Sequence, residues 1–95
     1  MLSKLNAVAD KYRELEALPR DPDVMADMEK WQRYTREHAA LTPIVEAYQS
    51  YRRALATIDE DKEMLAEADA EMKAMLTEEI AEAEAERDRL AAELP

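Results

Sequence analysis

The stretch WQRYTREHAALTPIVEAYQSYRRALATIDEDKEML, Trp31 to Leu65, decides the fold. Its stripe falls at Trp31, Tyr34, His38, Leu41, Ile44, Tyr48, Tyr51, Leu55, Ile58, Lys62 and Leu65, in steps of three and four, and only Lys62 breaks its polarity. A helix is the one regular structure that brings such positions to a single face. Pro43 lies within the run, where it removes a backbone hydrogen bond and crowds the carbonyl of Ala39. Thr42-Pro43 would suit a cap followed by a first-turn proline. The stripe nevertheless passes from Leu41 through Ile44 to Tyr48 without a phase slip, and no loop residues intervene. The spacing therefore predicts one long helix over roughly residues 28–67, kinked near Pro43. At about 1.5 Å per residue it would span ~60 Å, so an elongated domain is expected.

Working outward toward the N-terminus, Leu2, Leu5, Val8, Tyr12, Leu15 and Leu18 form a second stripe, a first helix that must stop by Leu18 because Pro19 follows. Asp21-Pro22 suits a single turn with Asp21 as cap and Pro22 at the first helical position, and Asp27 offers a cap for the long helix. Toward the C-terminus, Asp69 caps a last helix whose seam reads Met72, Leu76, Ile80, Ala83, Arg87, Leu90 and Leu94. Short connections make neighbours antiparallel, so the first helix is expected along the first half of the long helix and the last along its second half. The expected fold is all-α, an elongated, antiparallel, coiled-coil-like bundle of three helices forming one domain over residues 1–95.

Composition supports this and excludes much else. The chain has 95 residues, no glycine and four prolines, which rules out Asn-Gly hairpins and glycine-rich phosphate loops. The absence of cysteine removes disulfides, zinc ribbons and thiol nucleophiles, and suits a reducing compartment. The N-terminus meets Asp10 and Glu14 before any apolar run that a signal or membrane span would need, so a cytoplasmic protein is expected. The net charge of -10 is uneven: residues 1–58 balance nine acidic against nine basic side chains, and residues 59–95 set fourteen acidic side chains against Lys62, Lys73, Arg87 and Arg89. That end would repel a phosphate backbone, so direct nucleic-acid binding is not expected, whereas a basic protein surface would be attracted. A solvated, solubilising helix face is the simpler explanation of the same charge.

No residue is assigned to catalysis, a cofactor or a metal. His38, the single histidine, lies along a helix seam between Tyr34 and Leu41, where a packed imidazole hydrogen-bonded at one nitrogen is expected rather than a general base. Dinuclear metal bundles need a Glu-x-x-His pair from each of two helices, and here the residue three before His38 is Thr35. The carboxylate pairs Glu67/Glu71 and Glu78/Glu82 lie one turn apart on outward faces, where hydration is expected. Trp31, Tyr12, Tyr34, Tyr48 and Tyr51 read as core by their spacing, with Tyr48 and Tyr51 keeping their hydroxyls at the rim. Met25, Met28, Met64, Met72 and Met75 read as filler at helix junctions, though exposed methionines would suit a docking surface. Ion pairs are expected at Glu29/Arg33, Arg33/Glu37, Glu84/Arg87 and Arg89/Glu93.

The stretch DPDVMADMEKWQRYTREHAALTPIVEAYQSYRRA, Asp21 to Ala54, with TPIVEAY at its centre, resembles the N-terminal domain of the bacterial peptide chain release factor 1 family, class I factors that read UAA and UAG. The likeness continues through DEDKEMLAEADAEMKAMLTEEIAEAE to Leu94-Pro95, with Ala70 where the family often has proline after the capping aspartate. The resemblance implies a fragment of a longer translation termination factor. In that family a Gly-Gly-Gln motif triggers peptidyl-tRNA hydrolysis and a Pro-x-Thr tripeptide reads the codon, and neither occurs in these residues. It further implies a ribosome-docking domain near the stalk base of the large subunit, linked to the GTPase factor that recycles class I factors. It assigns no residue to either partner. A free-standing acidic helical adaptor or chaperone-like coiled coil is the alternative, in which the likeness is compositional.

Overall fold

The computed structural model of the chain describes residues 2–95, the side chain of Leu2 excepted. Among them the fold is all-α, with helices α1 (Leu2–Ala17), α2 (Pro22–Met25), α3 (Met28–Leu65) and α4 (Ala70–Glu93), and a 3-10 turn at Leu18–Arg20. The boundaries follow local chemistry. Pro19 ends α1, and the chain turns through Asp21, whose carboxylate accepts from the Asp23 N–H at 2.8 Å to start α2 with Pro22 in its first turn. Asp27 accepts from the Lys30 N–H at 3.2 Å at the head of α3, and Asp69 from the Met72 N–H at 2.8 Å at the head of α4.

The long helix is continuous through Pro43. Beside the proline, whose ring nitrogen has no proton to give, the Thr42 hydroxyl donates to the His38 carbonyl at 3.0 Å and adds a side-chain bond to that turn.

The chain folds as two compact units, one reaching to Glu46 and the other running from Ala47 to Pro95, and α3 contributes residues to both. In the first, Tyr12 meets Thr42 and His38, and Glu16 meets His38. As the number rises on α1 it falls on α3, so the pair is antiparallel. Leu5 and Leu15 are its most deeply buried side chains, with Val24 of α2 and Val45 of α3. Leu2, the first member of the predicted stripe, falls outside the described side chains.

In the second unit Asp61 faces Glu79 and Tyr51 faces Arg87, again an antiparallel register. Its core is Tyr48, Ala54 and Ile58 from α3 with Leu76, Ile80, Leu90 and Leu94 around α4. The α4 seam is buried at Leu76, Ile80, Leu90 and Leu94 as its spacing predicts, but its first member, Met72, is exposed, and α3 is rotated slightly: Val45, Ala54 and Asp61 are buried, and Lys62 is exposed. Tyr48 belongs to this core at 4% exposure instead of standing at a rim, with the Arg52 guanidinium 5.7 Å from its ring centroid.

Candidate functional site

Two surfaces stand out, one in each unit. In the first unit Met25, Met28 and Trp31 are 61%, 66% and 39% exposed and line a shared hollow of about 280 Å³. The expectations of a core tryptophan and of methionine as junction filler are both corrected here. The register explains why. With Glu16 level with His38, α1 ends before it can cover the first turns of α3, and α2 is four residues long with Val24 as its only buried residue. The three apolar side chains therefore meet solvent, an arrangement that marks interaction surfaces more often than isolated exposed residues do.

Trp31 also lines the adjoining groove of about 540 Å³, with Leu15, Pro19, Thr35 and His38 among its walls. His38 stacks on Tyr12, and its Nε2 lies 3.7 Å from a Glu16 carboxylate oxygen without a hydrogen bond. The packed imidazole is as expected; the hydrogen bond is not found at Nε2, because stacking holds the ring and Glu16 stops short. The Thr42 hydroxyl is committed to the His38 carbonyl, so it is not poised as a nucleophile for this ring.

In the second unit, Ala54, Thr57 and Ala83 form part of the floor of a groove of about 450 Å³ whose α4 wall carries Glu79, Glu82 and Glu86. Asp61, one turn beyond Thr57, is 5% exposed, and its Oδ2 has no hydrogen-bond partner among the described residues. It approaches Glu79, and that contact, reinforced by the charges of Asp61 and Glu82, raises the Glu79 carboxyl above its ordinary range.

The pairs singled out by sequence, Glu67/Glu71 and Glu78/Glu82, are all exposed. The pair that matters lies across two helices, which intrahelical spacing does not reveal. Its signal is present in the positions Ala54, Ile58, Asp61 and Leu65, a helical stripe with one acid in it. Among the described residues no group of three or more histidine, aspartate or glutamate side chains is placed to hold a metal.

Of the expected ion pairs, Arg89 reaches Glu93 at 2.9 Å and also takes Glu86 at 2.7 Å. Arg87 turns to Asp88 at 3.0 Å, and Arg33 to the Tyr34 hydroxyl at 3.4 Å, so neither forms its expected bridge. All three guanidiniums are held above their ordinary range, chiefly by hydrogen bonds to Glu86, Asp88 and Tyr34 respectively.

Comparison with known proteins gives a consistent result. The PCRF domain family matches residues 8–95. The peptide chain release factor 1 of Finegoldia magna is 42% identical over 92 residues, covering 94% of the chain and 26% of that protein. That of Pelobacter propionicus is 40% identical over 94 residues, 99% of the chain and 26% of the relative, and that of Clostridium botulinum is 45% identical over 83 residues, 86% and 23%. The chain thus spans about a quarter of the length of these relatives. No solved structure matches it significantly.

Proposed function

The chain belongs to the PCRF domain family, and from that premise we propose that it is the N-terminal docking domain of a peptide chain release factor, contacting the large-subunit stalk base, the recycling GTPase factor, or both. The observation that carries this reading is the match over residues 8–95 together with identity of 40% to 45% to release factors 1 across most of the chain.

Physical features support a binding role. Exposed apolar side chains at Met25, Met28 and Trp31 and an acidic groove on α4 are means of contacting proteins. The acidic excess after residue 58 opposes direct contact with ribosomal RNA through that end. Hydrolysis of peptidyl-tRNA would fall to a Gly-Gly-Gln segment, which a stretch without glycine does not contain. Among the described residues no helix is long and apolar enough to cross a membrane, and the reading implies action in the cytoplasm.

The test is to delete residues 1–95 from the full-length factor and measure association with stalled ribosomes and GTPase-driven release from them. Weaker association or slower recycling is the expected result. Unchanged values for both would refute the docking role.

A further inference from the structure

We propose that the hairpin end of the α3 and α4 pair docks an amphipathic helix of a partner protein, whose apolar face meets Met64, Met72 and Met75 and whose flanks carry lysine or arginine. The inference rests on the docking reading above and specifies the face used and the chemistry of its occupant.

Helical spacing builds the face. Thr57 of α3 and Glu79 of α4 line one groove and so mark one side of the pair. Met64 follows Thr57 by seven residues, and Met75 and Met72 precede Glu79 by four and seven, so all three methionines fall on that side. The antiparallel register that brings Asp61 to Glu79 and Tyr51 to Arg87 sets Met64 level with Met75. All three are exposed, and the second unit has no third helix to cover them. Methionine is unbranched and polarisable, so such a cluster moulds itself to an incoming apolar surface. Grouped apolar side chains rimmed by charge mark contacts with other proteins.

Charge selects the occupant. Residues 59–79, which enclose the three methionines, hold nine acidic side chains against Lys62 and Lys73. Among the described residues no ion pair forms within that stretch. A second copy would bring the same uncompensated charge to the face and be repelled, as would a phosphate backbone. A helix with cations beside its apolar residues gains both contacts at once, and its charge steers it to the face. The ledge of Met25, Met28 and Trp31 in the first unit has no such bias, because residues 20–36 balance four acidic against four basic side chains. Only the hairpin end therefore pairs an uncovered apolar face with a sign of charge that specifies a partner.

The probe is a fluorescently labelled, alanine-based helical peptide with leucines along one face and lysines beside them, titrated against the full-length factor by fluorescence anisotropy. One control peptide replaces the leucines with alanine, and another replaces the lysines with glutamate; each should bind about tenfold more weakly than the probe. Met64→Gln combined with Met75→Gln should weaken probe binding about tenfold, whereas Met25→Gln combined with Met28→Gln should weaken it less than about twofold. Equal weakening by the two pairs, or none by the first, would show that the hairpin face is not used. A control peptide that binds as tightly as the probe would show that only charge, or only apolar contact, is read. Dimerisation in sedimentation equilibrium that Met64→Gln with Met75→Gln abolishes would make the occupant a second copy. Each of these overturns the inference. Glutamine is a good helix former, and circular dichroism verifies folding of each variant.

In the second arm the same variants are assayed for ribosome association beside the factor lacking residues 1–95. The Met64 and Met75 pair should reproduce most of the loss caused by the deletion. A loss on deletion with none in that pair overturns the face and leaves the docking domain standing. No loss on deletion sinks the docking reading itself, and the peptide arm still decides the face.

Discussion

Tyr12 lies face to face with His38, ring centroids 4.3 Å apart and planes inclined by 17°, and its hydroxyl stands 3.0 Å from Thr42 Oγ1. The Thr42 hydroxyl has one proton and gives it to the His38 carbonyl at 3.0 Å, so Oγ1 accepts from Tyr12. One side chain of α1 thereby clasps two successive turns of α3 beside Pro43. Tyr12→Phe keeps the stack and loses the donor, and should cost about 0.5–1.5 kcal/mol in urea unfolding. Tyr12→Ala loses both and should cost more. A phenylalanine variant as stable as the parent would show that the hydroxyl relay contributes nothing.

The Asp61–Glu79 contact gives stability a pH dependence of definite sign. Proximity to Asp61 raises the Glu79 carboxyl in the folded state above its unfolded value. Its contribution to stability is therefore fully present below the unfolded carboxylate range and is lost as pH rises through the raised folded value. Glu79→Gln removes that titration, so the variant should show a smaller gain in melting temperature than the parent as pH falls from neutral into the carboxylate range. Identical pH profiles for the two proteins would contradict the pairing.

The helical plan could be read from residue spacing because an apolar stripe is a local, periodic property. Leu5, Leu15, Ile58, Leu76, Ile80 and Leu90 are all buried where the stripes put them, and Asp21, Asp27 and Asp69 all act as the caps their positions suggest. What spacing could not supply is how far one helix covers another. That depends on register, and register exposes Trp31 and Met28 while burying Asp61 in place of Lys62. The groove glutamates are visible in the sequence as charge but not as a site, since their significance comes from an acid on the facing helix.

Pro43 offers a direct test of backbone energetics. It is an exposed side chain inside a continuous helix, so Pro43→Ala restores a helical N–H and removes the clash with the Ala39 carbonyl while sacrificing little packing. An interior proline is about 3 kcal/mol worse than alanine in a regular helix. Part of that is already offset by local adjustment, so a gain of about 1–2 kcal/mol in unfolding free energy is expected. A loss of stability on substitution would mean that the proline's geometry is needed to keep α1 seated on α3.

The ledge of Met25, Met28 and Trp31 separates residues that hold the fold from residues that are merely carried by it. Met25→Ser combined with Met28→Ser removes apolar surface already in water, so each change should alter unfolding free energy by no more than about 0.5 kcal/mol. Leu15→Ala, at 1% exposure on the neighbouring helix, should cost about 2–5 kcal/mol. The serine pair should also reduce the fluorescence of a hydrophobic dye bound to the native protein, because the patch is the dye's apolar contact. If the serine pair destabilised the chain as much as Leu15→Ala does, the two methionines would have to be packed against something, and the register that leaves the start of α3 uncovered would be wrong.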